Sequence, residues 1–139
     1  MVKERNNDEI QKKYLELQIL VNQITQVQQQ IMSIQGQLLE LRNLKENLEK
    51  LKDFKPNNEA YVPLSSNIFT KAKLLDNKEF LVGVGSNILT TKSLEETTEL
   101  VESQINEVQK IVLELESQIQ ELDSRGQQVQ EELLNISKQ

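Results

Sequence analysis

The sequence predicts an α+β protein, a long antiparallel two-helix coiled coil whose helices are joined by two β-hairpins. Three observations predict it. Apolar residues recur at steps of three and four along both ends of the chain, which lays a seam on one face of each helix. Between them lie short β-prone runs separated by turn formers. The chain is also poor in core-building residues, with 4% aromatic residues, no Trp, and four Gly and two Pro in 139 residues. A compact globular core is not expected from that composition.

The first periodic segment reads Ile10, Tyr14, Leu17, Val21, Ile24, Val27, Ile31, Ile34, Leu38, Leu41, Leu44, Leu48, Leu51. It predicts a helix over residues 8–54, ended by Pro56-Asn57-Asn58, since proline cannot continue the hydrogen-bond ladder. Consecutive steps of three at Val21 to Val27 and at Leu38 to Leu44 predict local changes in supercoil winding.

The middle, residues 60–92, predicts strands at Ala60 to Leu64, Ile68 to Leu75, Phe80 to Val84 and Ile88 to Thr91. Ser65-Ser66-Asn67, Asp76-Asn77-Lys78 and Gly85-Ser86-Asn87 supply the turns. Offset by twenty residues, the run from Val62 to Thr70 aligns with the run from Val82 to Thr90, matching at Val, Ser, Asn, Ile and Thr. The same strand, turn, strand unit therefore occurs twice. A lone hairpin is marginally stable in water. Tyr61, Val62, Leu64, Ile68, Phe69, Phe80, Leu81, Val82, Val84, Ile88 and Leu89 are accordingly expected to pack against hairpins of other subunits, which makes this segment an oligomerisation device.

The second helix is predicted over residues 93–137. Ser93 with Glu96 reads as a capping box in which hydroxyl and carboxylate satisfy free amides. Its seam runs Leu94, Thr98, Val101, Ile105, Val108, Val112, Leu115, Ile119, Leu122, Gly126, Val129, Leu133, Ile136, broken only by Thr98 and Gly126. At 1.5 Å per residue the two helices come to roughly 70 and 65 Å, and matched lengths favour antiparallel pairing.

Charge and residue types narrow the function. Residues 93–139 hold eleven acids against Lys110, Arg125 and Lys138, so this stretch repels phosphate backbones and argues against nucleic acid. With neither His nor Cys, the commonest acid, base and nucleophile pairs cannot be assembled, and no enzyme, cofactor or metal site is expected. Gly83-Val84-Gly85 lacks the third glycine and the following helix of a dinucleotide loop. Leu17 to Leu39 is uncharged but contains nine Gln or Asn side chains, which hydrocarbon would not accept, so no membrane span is expected. The polar N-terminal run carries no signal-peptide pattern, and the cytoplasm is the expected location.

One set of motifs is more specific. Tyr61-Val62-Pro63-Leu64-Ser65-Ser66-Asn67-Ile68, then Phe80-Leu81-Val82-Gly83-Val84-Gly85-Ser86-Asn87, then Lys92-Ser93-Leu94-Glu95-Glu96, set between two long helices, resemble the α-class subunits of prefoldin over almost the whole chain. Ser65-Ser66 departs from the glycine frequent in that family's first turn. The resemblance implies an ATP-independent co-chaperone whose hairpins join an intersubunit β-barrel. It further implies a hexamer of two α-class and four β-class subunits, which captures unfolded client proteins at the coiled-coil tips and delivers them to a group II chaperonin.

In an antiparallel pair both chain ends lie at the tip. Ile10, Tyr14, Leu17, Val129, Leu133, Leu134 and Ile136 are therefore the candidates for client contact. Tyr14, Leu134 and Ile136 are the stronger candidates, because Leu17, Val129 and Leu133 also read as ordinary seam residues. Gly126 weakens the helix interior by on the order of 1 kcal/mol relative to alanine and is expected to loosen this end. The amides of Gln26 to Gln30 and Gln35 to Gln37 read as exposed helix positions, the alternative being a hydrated wall of the cavity between the coiled coils that the resemblance implies. A filament-forming coiled coil built on the same hairpins is the alternative to the co-chaperone.

Overall fold

The computed structural model describes residues 2–138. Its elements are α1 (Val2–Leu51), β1 (Glu59–Ser65), β2 (Ile68–Lys73), β3 (Phe80–Gly83), β4 (Leu89–Lys92) and α2 (Leu94–Ser137). The chain divides into two compact units, one formed by Met1–Gln37 with Val108–Gln139 and the other by Leu38–Glu107.

The first unit is an antiparallel helix pair, tied across by ion pairs of Lys13 with Glu132 and of Glu16 with Arg125. On α2 all thirteen expected seam positions are buried or half-buried. On α1 three are not. Tyr14, Val21 and Leu44 are 62%, 58% and 43% exposed, and their neighbours Lys13, Leu20 and Lys45 take the seam instead. With these replacements the steps from Ile10 to Leu48 alternate three and four without interruption. The expected changes in winding therefore have no basis in the true seam. Lysine is missed by an apolar count because its methylene stem can lie along the seam while the ammonium reaches a carboxylate on the facing helix. Lys13 reaches Glu132, and Lys45 reaches Glu102 at 3.4 Å. Each buried Leu or Val of the seam contributes about 1.5–3 kcal/mol, whereas these water-accessible ion pairs add little stability and serve mainly register.

The second unit buries Leu38, Leu48, Val101 and Ile105 between the helices, with Thr97 beside them. The Thr97 hydroxyl donates to the Ser93 carbonyl at 2.7 Å, so its burial leaves no orphan donor. At the start of α2 the Ser93 hydroxyl accepts the Glu96 amide at 3.1 Å and donates to the Glu96 carboxylate at 3.2 Å. The cap is thus one amide plus a hydroxyl-to-carboxylate contact, not the reciprocal pair of amides. At the other boundary α1 ends at Leu51, before Pro56. The chain tightens there, and the Asn77 side-chain amide donates to the Leu51 carbonyl at 2.7 Å and the Lys52 carbonyl at 3.4 Å. A loop residue distant in sequence therefore closes the helix end.

The hairpins are separate two-stranded antiparallel sheets, β1 with β2 and β3 with β4. Their internal repeat extends to the backbone. Val62 pairs with Thr70 and Val82 with Thr90, while Pro63 pairs with Phe69 and Gly83 with Leu89. Asn67 and Asn87, also twenty apart, both take the left-handed conformation, with φ of 65° and 60°. Asparagine tolerates that region better than most residues, which accounts for its presence in both turns. The units differ beyond it. The first resumes pairing at Ser65 with Ile68 after a register shift, whereas the second leaves Val84 to Ile88 as a loop closed by the Val84 amide on the Ile88 carbonyl at 3.0 Å. Gly85 at φ 107° makes that wider loop possible.

Candidate functional site

Two surfaces carry the residues singled out from the sequence. The first is the hairpin pair. Tyr61, Leu64, Ile68, Phe69, Leu81, Val84, Ile88 and Leu89 are all more than half exposed, and Val62 is exposed to a lesser degree. Phe80 and Val82 depart from the expected exposure. They share one face of the second hairpin with Thr90 and Lys92, and that whole face is half-buried. The bare face is the opposite one, with Leu81 and Leu89. Strand alternation sends neighbouring residues to opposite sides, so a single hairpin separates a face used within the chain from one left open. On the first hairpin the Lys71 ammonium lies 5.9 Å from the centre of the Tyr61 ring, its cross-strand partner. That contact covers little of the surface. Exposed apolar faces and unpaired strand edges of this kind are sites of association.

The second surface is the end of the helix pair nearest the chain termini. Ile10, Tyr14 and Leu17 of α1 meet Leu133 and Leu134 of α2 around a hollow of about 370 Å³. Five of the seven candidate residues are thereby brought together. Val129 is fully enclosed and holds the seam shut, so it offers no surface to a ligand. Ile136 is half-buried and does not line the hollow. Gln130 and Ser137, which an apolar count passes over, do line it and supply one amide and one hydroxyl. Tyr14 and Leu134 stand out as 62% and 59% exposed, and both follow a seam residue directly in sequence. Gln26 and Gln30 of the Gln-rich stretch, with Gln23, Gln118 and Glu121, border a further hollow that Val27 and Leu122 also line.

Beside the apolar hollow the helices are joined by charge. Arg125 donates to the Glu16 carboxylate through Nη2 at 2.6 Å and Nε at 3.0 Å, and Lys13 donates to Glu132. The hydrogen bond from Lys13 is the main reason that the Glu132 carboxyl titrates below its ordinary value of 4.5. A carboxylate with a depressed value in the folded chain adds stability above the unfolded value, and loses it as pH falls through the folded one. This pair's share of the stability should therefore drop away between pH 7 and pH 3, and Lys13→Met should remove that share. Circular dichroism melts at both pH values check it; equal drops in the two proteins would mean that the pair contributes nothing.

Among the described residues, no group of three or more His, Cys, Asp or Glu is placed to hold a metal ion, and no helix is long and apolar enough to cross a membrane.

The chain is similar to known proteins over most of its length. The sequence pattern of the family described as Prefoldin subunit matches residues 20–139. Prefoldin subunit alpha of Pyrococcus horikoshii is 31% identical over 142 aligned positions, which cover 91% of this chain and 91% of that protein. Prefoldin subunit alpha of Archaeoglobus fulgidus is 27% identical over 125, covering 90% and 91%. Among solved structures, filamentous PFD from Methanocaldococcus jannaschii matches with a TM-score of 0.75 at 24% identity, over 82% of this chain and 94% of that one. Paired long helices, two exposed hairpins and a family match over most of the chain lead to one conclusion: the chain belongs to the prefoldin subunit family, a family of chaperone subunits.

Proposed function

We propose that this chain is an α-class subunit of an ATP-independent holdase that works in the cytoplasm. It assembles through its hairpins with β-class prefoldin subunits, two α to four β, into a platform closed as a β-barrel. It captures unfolded polypeptides at the ends of its helix pair and delivers them to a group II chaperonin. The observation that carries this reading is the terminal hollow, whose walls include Tyr14 and Leu134 at 62% and 59% exposure. Large apolar side chains held open to water favour association with other apolar surface. A hollow without charged lining residues favours apolar segments regardless of their exact sequence.

The experiment is suppression of aggregation of a chemically unfolded client by size-checked assemblies with a β-class partner. Tyr14→Ser with Leu134→Ser removes exposed apolar surface only, so the fold and the assembly should survive while protection falls several-fold. Undiminished protection would move client capture to another surface. The alternative, a filament-forming structural protein, draws on the same exposed hairpins. Open-ended growth of the chain without a β-class partner, with no protection of clients, would favour it.

A further inference from the structure

The terminal hollow has a neighbour. A smaller bay of about 180 Å³ shares Leu17 and Gln130 with it and continues along the helix pair to Leu20, Val21, Ile24 and Gly126. Gly126 creates this bay. It stands at a seam position, and a side chain there would meet nothing within 4 Å at its first carbon.

The two flanks of the seam differ in chemistry. Residues just before the seam positions Leu17, Gly126 and Leu133, namely Glu16, Arg125 and Glu132, lie on one flank and carry the interhelical ion pairs. Residues just after the seam positions Lys13 and Leu20, namely Tyr14 and Val21, lie on the other flank with both bays. Within the terminal segment that second flank carries no ion pair among the described residues, the Lys45–Glu102 pair lying in the other unit. One side of the terminal segment is latched by charge, and the other is an open apolar groove.

Spacing decides what fits. Tyr14 and Val21, each exposed, mark the two bays and stand seven residues apart, about 10 Å along the helix. An extended chain repeats the same face every ~6.7 Å, so its side chains fall between the bays. A helix places residues seven apart at about 10.5 Å, which matches. Charge complementarity adds a third requirement. Asp123 borders the smaller bay without a cation partner among the described residues, on a helix with eleven acids and three bases from residue 93 onward. We propose that the groove takes an amphipathic helical segment of a client, with a bulky apolar side chain in the terminal hollow, a smaller one seven residues away in the Gly126 bay, and a basic residue beside the latter. This deepens the proposed function and rests on it.

The test uses the full chain and synthetic peptides of about five helical turns, read by fluorescence anisotropy. The parent peptide carries Leu and Val seven apart with Lys beside the Val; three variants replace Val by Ser, replace Lys by Glu, or place Pro between the anchors. The parent should bind about tenfold tighter than the Ser peptide, the Glu peptide should bind more weakly than the parent, and Pro should abolish the gain. Gly126→Leu fills the bay, raises helix propensity and adds an apolar seam residue, so lost binding cannot be laid to unfolding. It should bring the parent peptide to the affinity of the Ser peptide and leave the latter unchanged. Equal binding of the parent by the natural chain and Gly126→Leu, or equal binding of the parent and Pro peptides, would overturn the proposal. Tyr14→Ser with Leu134→Ser should weaken every peptide. If it does not while Gly126→Leu acts as stated, the terminal hollow fails as a capture site and the second bay stands alone.

Discussion

Replacing Val129 with aspartate will unravel the terminal half of the helix pair. Val129 is the one fully enclosed large side chain among the described residues, so a carboxylate there loses its water and gains no cation. An unpaired buried charge costs about 3–5 kcal/mol, and a helix pair of this size loses roughly 4–8 °C of melting temperature per kcal/mol. A fall of well over 10 °C is expected by circular dichroism. Val112→Asp lies in the same seam but is half-buried, so its effect should be smaller. Val21→Asp should change the melt by no more than a few degrees, since Val21 is 58% exposed. A Val21→Asp effect as large as that of Val129→Asp would mean that the seam has been placed on the wrong residues.

Leu81→Asp combined with Leu89→Asp should abolish association and leave the chain folded. The two side chains share the bare face of the second hairpin at 69% and 60% exposure, and charge there is harmless to the lone chain. Between subunits the same charges would be buried without partners, at several kcal/mol each. Phe80→Asp with Val82→Asp is the informative contrast. Those residues are already half-buried within the chain, so this pair should lower the melting temperature of the subunit itself as well as its assembly. Sedimentation velocity with a β-class partner, beside thermal melts of the chain alone, separates the two. Normal assembly of the Leu81, Leu89 variant would remove that face from the interface.

The hairpin repeat shows how far local sequence reaches. The twenty-residue offset held the equivalence of the two strand, turn, strand units, because pairing across a short turn depends on residues close in sequence, while the register of Val62 with Thr70 and Val82 with Thr90 and the left-handed Asn67 and Asn87 came from the structure. The α2 seam was equally legible, since each of its thirteen positions is decided by a period of the helix itself. The end of α1 was not. It depends on an amide from Asn77, twenty-six residues beyond Leu51, and nothing in the local sequence marks that asparagine as a helix cap.

On α1 the sequence alone determined that a seam exists, and only the tertiary structure decided where it runs. Tyr14 and Lys13 are adjacent, as are Val21 and Leu20, and either member of each pair keeps an acceptable helical spacing. Apolarity favours Tyr14 over Lys13 when the helix is considered by itself. Facing Glu132 on another helix reverses the choice, because the lysine stem fills the seam while its charge is neutralised, and the tyrosine is left outside. The candidate site follows from that reversal. Tyr14 and Val21 line an open groove because residues more than a hundred positions away supply the ion partners and the missing side chain at Gly126, and pairing at that distance leaves no period in the sequence to read.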